Sequence, residues 1–160
     1  MAENLDIKFV NLADQPESIA LVAKWYYDEW GRLSTSSSFE STLEKVSTQS
    51  NKDRIPLHVL GLAGSKVVGV IQLKFQENKT YPKGSHWIGG VYVASEARGK
   101  GVGEALVSKI SEVAKSFEVR ELYLQTERQD GGVYSKCGFQ PIETVMYNGM
   151  DVLVMRKILR

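Results

Sequence analysis

Apolar residues recur along this chain in two rhythms, every three to four residues and every two, and their alternation sets out a series of helices and strands. Residues 5–10 read as a short first strand, and Pro16 suits the first turn of a helix running to about Trp30. Ile19, Val22, Ala23, Tyr26 and Trp30 form its apolar stripe. A shorter helix is expected from Phe39 to about Thr48, capped by Ser38, with Phe39, Leu43 and Val46 inward. Strands at about 56–63 and 66–76 flank Gly64-Ser65, a tight hairpin signal. In the second of them, Val67, Ile71, Leu73 and Phe75 are expected on one face and Gln72 and Lys74 on the other. A polar loop at 77–84 leads into a strand ending at Val93. Val102, Leu106, Ile110, Val113 and Phe117 mark the buried side of a long helix. Leu122 and Leu124 mark a strand at about 120–126, which a right-handed crossover places parallel to the strand ending at Val93. A short helix near 130–136 follows, and a hairpin turned at Asn148-Gly149 closes the series with strands near 142–147 and 150–158. The predicted order is βααβββαβαββ, an α/β (α+β) chain.

Composition adds boundaries. With 160 residues, 42% of them hydrophobic, and no linker-like run, the chain is expected to form one domain over 1–160. Twenty basic and nineteen acidic residues are interspersed, so no nucleic acid or membrane partner is called for. Met1 to Asp6 hold two acids and no long apolar run, so a signal peptide is not expected and a cytoplasmic location is. The single cysteine, Cys137, excludes an internal disulfide and a cysteine-rich metal site; it reads as small apolar packing, and no metal is expected. Asn78-Lys79-Thr80 has the form of a glycosylation sequon, here read as coincidence.

The chemistry concentrates at Val91-Tyr92-Val93-Ala94-Ser95-Glu96-Ala97-Arg98-Gly99-Lys100-Gly101-Val102-Gly103. An apolar strand, a polar turn and a glycine-rich loop here run into an amphipathic helix. Glycines permit backbone conformations that let successive amides converge on an anion at the positive end of the helix. Arg98 and Lys100 add cationic side chains suited to phosphate oxygens. A Walker A loop needs four residues between its first Gly and a Gly-Lys-Ser/Thr, and a dinucleotide fingerprint needs two between its second and third glycines. Only Val102 separates Gly101 from Gly103, so both fail. The pattern Arg-Gly-x-Gly-x-Gly after a Val-x-Val strand resembles the coenzyme A pyrophosphate loop of the GNAT superfamily of acyl-CoA N-acyltransferases. A second segment, Tyr134-Ser135-Lys136-Cys137-Gly138-Phe139, is similar to the Tyr-x-Lys-x-Gly-Phe stretch that ends the fourth helix of that superfamily, with Gly138 as helix stop and Phe139 as core plug.

The resemblance spans nearly the whole chain. It implies the GNAT fold, a mixed and mostly antiparallel sheet of about seven strands with about four helices on both faces. It implies acetyl-CoA as cosubstrate, held by Val91, Tyr92, Val93, Arg98, Gly99, Lys100, Gly101, Val102, Gly103 and Glu104. The strands matching 87–93 and 120–126 would splay to admit the pantetheine arm, with the Val93 amide as oxyanion donor. Tyr134 would protonate the departing thiolate; its alternative is a core tyrosine with a satisfied hydroxyl.

The general base is less plain. Many relatives carry a glutamate on the fourth strand, where this chain has Ile88-Gly89-Gly90. His86 is the first alternative, acting directly or through water, with Glu127 second and His58 third; a lone histidine is more often structural. Gly131-Gly132 inside the fourth helix suggests close approach by a ligand, or more simply an irregular loop. Among Trp25, Tyr26, Tyr27, Asp28, Glu29, Trp30 and Arg32, most aromatics are expected in the core. Trp30, Arg32 and Tyr27 are the candidates for the acceptor pocket, where Asp28 or Glu29 suits a cationic amine and Arg32 an acidic peptide. Asp28-Glu29-Trp30-Gly31-Arg32, Ile55-Pro56-Leu57, Val67-Val68-Gly69 and Leu122-Tyr123-Leu124-Gln125-Thr126 also resemble, more weakly, the actin-type protein N-terminal acetyltransferases. The expected activity is acetyl transfer from acetyl-CoA to a primary amine, on a small molecule or a peptide N-terminus, by direct attack in a ternary complex. A coenzyme A-binding module without catalysis and an enzyme for a longer acyl group are the alternatives, and the expected state is a monomer or homodimer.

Overall fold

The computed structural model describes residues 4–160, so the reading of Met1 to Glu3 lies outside the described residues. The strands are β1 (Lys8–Asn11), β2 (Leu57–Ala63), β3 (Lys66–Phe75), β4 (His86–Val93), β5 (Glu121–Thr126), β6 (Gln140–Tyr147) and β7 (Met150–Ile158). The α-helices are α1 (Ile19–Glu29), α2 (Phe39–Thr48), α3 (Val102–Ser116) and α4 (Gly132–Lys136). The order is the one predicted. All seven strands join in one sheet, β1-β2-β3-β4-β5-β7-β6, antiparallel except for β4 beside β5.

Local chemistry explains most boundaries. Ser38 and Ser41 exchange side-chain and backbone hydrogen bonds in a capping box at the start of α2. Asn148 and Gly149 both take positive φ, 50° and 81°, as the two-residue β6–β7 turn requires. The first strand begins at Lys8 rather than residue 5, because Leu5 donates to Lys100 O (3.1 Å) instead of to the sheet. Pro16 opens a 3-10 turn over Pro16–Ser18, and α1 starts only at Ile19. Gly131 lies outside α4, and Gly132 is its first residue. They precede and open it with φ of 80° and 51°, and a Cβ on Gly131 would meet Ser135 Oγ at 2.1 Å. The protein's own turn therefore accounts for both glycines without a ligand.

The sheet is packed on both sides. Val102, Leu106, Val107, Ile110 and Ala114 of α3 cover one face with Ile71, Leu73, Ile88, Leu122, Leu124 and Met155, and Tyr134 and Cys137 pack onto this cluster. Val22 and Ala23 of α1 and Val46 of α2 cover the other with Leu60, Leu62 and Val70. Each fully buried Leu or Ile contributes about 1.5–3 kcal/mol. The alternation expected along β3 breaks near its start. Gly69 pairs with Gly61 but Val67 with Leu62, so Val68 is an extra residue, and Val67 packs on the α1 side, opposite Ile71. Phe139 is buried as expected, and Gly138 stops α4 at φ 90°. Asn78 is buried and donates to Gln125 Oε1 (3.3 Å), which disqualifies it as a glycan acceptor. Among the described residues no helix is long and apolar enough to cross a membrane.

Candidate active site

Strands β4 and β5 pair at one position only, Trp87 with Tyr123, and diverge beyond it. On its other edge β4 remains laddered to β3, where Ala94 N donates to Val68 O at 2.8 Å. Strand alternation then turns the Val93 N–H to the open side, facing the gap toward β5. An irregularity precedes it: from Val70 to Gln72 on β3, β4 advances from Tyr92 to Gly89, so β4 carries one extra residue at Gly90–Val91. Gly90 takes φ 54°, the left-handed conformation that such a bulge favours. The Tyr26 hydroxyl donates to Gly90 O (2.7 Å) and ties the bulge to α1.

The gap opens onto the glycine loop. Gly99 and Gly101 adopt φ of 77° and 80°, and Gly101 caps α3. The first backbone bond of α3 runs from Ala105 N to Gly101 O (3.1 Å), so the amides of Gly99 through Glu104 have no backbone acceptor among the described residues. A Cβ at Gly99 would meet nothing within 4 Å, which leaves its surroundings open, whereas one at Gly101 would strike the Asn4 side chain at 2.8 Å. Free amides, a positive helix end and an open glycine edge fit a diphosphate. Glu104 is exposed in the first turn of α3, where its charge suits the helix dipole. Its own carboxylate would repel a phosphate, so only its amide suits one.

Arg98 is directed differently from the loop. Its Nε donates to Val93 O (3.1 Å) and its guanidinium lies 5.5 Å from the centre of the Tyr92 ring, which stacks on Trp25 at 5.0 Å. Lys100 is half-buried and its carbonyl accepts from Leu5. Tyr134 sits on the α3 side with its ring edge-on to Phe139 at 6.4 Å, and burial, with a smaller contribution from Cys137, pushes its hydroxyl up to about 12. Cys137 is also raised, by burial and then by the charge of Glu104, which brings the start of α3 next to α4. The loop, the gap and Tyr134 thus share one side of the sheet.

The base candidates do not gather there. His86 opens β4, seven residues and about 20 Å of strand from Val93. Its ring lies 5.1 Å from Phe75, in a cleft with Arg120 and Tyr123, and burial lowers its pKa. Glu127 is exposed just past β5. His58 is buried on the α1 side, with Nδ1 3.2 Å from Gln49 O and Nε2 unpartnered among the described residues; burial lowers it to about 4.

The acceptor candidates also separate. Trp30 caps α1 with 44% of its surface exposed, outside the buried stripe, its ring 5.7 Å from that of Tyr26. Tyr27 turns the other way, edge-on to Phe39 at 6.4 Å, as packing between α1 and α2. Arg32 Nε donates to Asp28 O (2.5 Å), and the Asp28 carboxylate pairs with Lys24 at 2.8 Å. Sequence reading missed the tie from Tyr26 to the bulge, and also Lys74 with Glu77 and Tyr147, which stand over the α1 side of β4. The Gly89-Gly90 doublet within a strand was a legible sign of the bulge; nothing in the sequence marks Glu77.

An open gap between parallel strands thus lies beside a helix-capping glycine loop. The family model of the GNAT acetyltransferases matches residues 19–139, and the chain belongs to that family. Solved structures agree in fold. An aminoglycoside 6'-N-acetyltransferase complexed with coenzyme A is 16% identical over 98% of each chain, with a TM-score of 0.73. A ribosomal-protein-alanine N-acetyltransferase from Brucella melitensis is 24% identical over 96% of this chain and 99% of its own, at 0.70. A GNAT-family acetyltransferase from Streptococcus pneumoniae is 18% identical over 96% and 99%, at 0.68. No curated protein sequence matches.

Proposed function

We propose that the chain transfers an acetyl group from acetyl-CoA to a primary amine, on a small molecule or a peptide N-terminus, by direct attack of the uncharged amine in a ternary complex: the C–N bond forms, the C–S bond breaks, the nitrogen's proton passes to water and the thiolate takes one from Tyr134. The observation that carries this reading is the gap itself: β4 leaves β5 after Trp87, beside amides without backbone acceptors at the start of α3. The amides of residues 99–104 would hold the diphosphate, and Val91 and Val93 would bond the pantetheine arm through their main chain. The bound thioester supplies an acyl group that is already activated. Around it the protein positions and polarises. The Val93 N–H points into the gap as donor for a developing oxyanion. Tyr134 keeps its proton at the hydroxyl throughout the neutral range, available to a departing thiolate. The apolar wall of Val91, Val93 and the α3 cluster keeps water from the same space.

Calorimetric titration with coenzyme A tests the reading, and well-folded protein that fails to bind refutes it. Gly101→Val imposes a left-handed conformation on a β-branched residue and strikes Asn4. Losing two charge-assisted bonds costs about 3–6 kcal/mol, so affinity should fall by about 10²-fold or more. Thiol release with a panel of amines and peptides then separates an enzyme from a binding module.

A further inference from the structure

On the α1 side, β4 is bare at Gly89 and Gly90, and Lys74 fills the space. Its side chain crosses from β3 so closely that a Cβ on Gly89 would meet Cε at 2.7 Å and Nζ at 3.1 Å. The ammonium ends in an ion pair with the Glu77 carboxylate. Shelter sets this pair apart: its side chains are 18% and 30% exposed, whereas both members of every other ion pair among the described residues are at least 40% exposed. Two aromatic residues flank it. The Tyr147 hydroxyl donates to Glu77 O (3.1 Å) from β6, and Tyr26 donates to Gly90 O (2.7 Å) from α1, with Trp30 beside it. A carboxylate and an ammonium therefore meet over a glycine floor, next to the bulge of β4.

Desolvating two charges is costly, and a pair kept only for stability is readily replaced by apolar packing. Lys74 sits on a flexible stem that can carry its charge out to solvent. We propose that Glu77 is the carboxylate that receives the acceptor's primary ammonium, which takes the place of Lys74 Nζ against Gly89. One ammonium exchanges for another, so Glu77 is not left unpaired. The floor at Gly89 admits this because any side chain there would occupy the same space. The substrate class is an aliphatic primary amine that arrives as its ammonium, slim enough to pass between the Tyr26 and Tyr147 sides, and gives up a proton to water before its nitrogen attacks the thioester. The inference rests on the acetyltransferase reading for the amine's role as acceptor.

Calorimetric titration of 1,4-diaminobutane into the full chain, with and without coenzyme A, tests it, with 1,4-butanediol as a neutral control of equal length. The wild type should bind the diamine and not the diol. Glu77→Gln should weaken diamine binding at least about tenfold, the loss expected for one charge-assisted bond. Lys74→Met should tighten it several-fold by removing the internal competitor. Both variants should keep the wild-type melting temperature to within a few degrees. Equal diamine affinity in wild type and Glu77→Gln, absence of binding by the wild type, or weaker binding by Lys74→Met would overturn the proposal. Diamine binding that depends on Glu77, found with no thiol release from any acceptor, would refute the acetyltransferase reading and leave the amine subsite standing.

Discussion

On one side of β4 stand main-chain groups from a single stretch, Val91 to Glu104; on the other stand side chains gathered from distant segments, Tyr26, His58, Lys74, Glu77 and Tyr147. On the proposed function the first side would act through amides that almost any strand-forming residue can carry, so glycine and proline are the substitutions that would matter there. The second side presents hydroxyls, a carboxylate and an imidazole, so single conservative changes reach it.

Val93→Pro probes the first side through the backbone alone and should have the largest effect. It removes the N–H that faces the gap and leaves the β3 ladder bond at Ala94 in place. kcat should fall by about 10²–10³, while Val93→Ile stays within a few-fold. If the proline variant turned over like wild type, no division between main-chain and side-chain sides would survive.

The second side should respond to acid. Burial lowers His58 to about 4, against about 6.5 in the unfolded chain. Below pH 6.5 the unfolded chain takes up a proton that the folded one refuses until about pH 4. Stability present above pH 6.5 is therefore lost as pH falls through that window, by about 3 kcal/mol. Urea denaturation of wild type and His58→Gln across pH 7 to 4 measures it, and parallel losses in the two proteins would exclude His58 as the cause.

Tyr134→Phe tests the one side chain that the donor side is expected to use as an acid. Turnover should drop by about 10²-fold with coenzyme A affinity unchanged. Because the hydroxyl is raised to about 12, wild-type kcat should show no alkaline decline from Tyr134 below about pH 11. Unaltered turnover would return Tyr134 to the core and make the donor side wholly main-chain. The smallest effect is expected from Tyr26→Phe, which unties α1 from the bulge at Gly90. Loss of that one neutral bond, worth about 1 kcal/mol, should lower kcat/KM about fivefold and leave coenzyme A binding intact. A drop in coenzyme A affinity instead would show that the bulge serves the donor side as well.

Legibility in the sequence follows the same division. The eleven elements and their order were readable because each rests on local periodicity, a cap or a turn: Ser38, Gly64, Gly138 and Asn148-Gly149 all sit where predicted. The glycine loop was readable for the same reason, since its amides are neighbours in the chain. Misreadings came where long-range pairing or crowding overrode a local rule. Val68 intrudes into β3 and turns Val67 over. Tyr27 and Trp30, three residues apart, share neither surroundings nor exposure, because α2 covers one and not the other.

By itself the sequence determined the order of elements, the family and the place of the glycine loop, because hydrophobic period, turn chemistry and contiguous amides are properties of short stretches. Only the tertiary structure decided where β4 parts from β5, that His86 stands at the far end of β4, and that Lys74 and Glu77 meet over Gly89. Those contacts depend on sheet register and on side chains reaching across strands, and no local pattern encodes either.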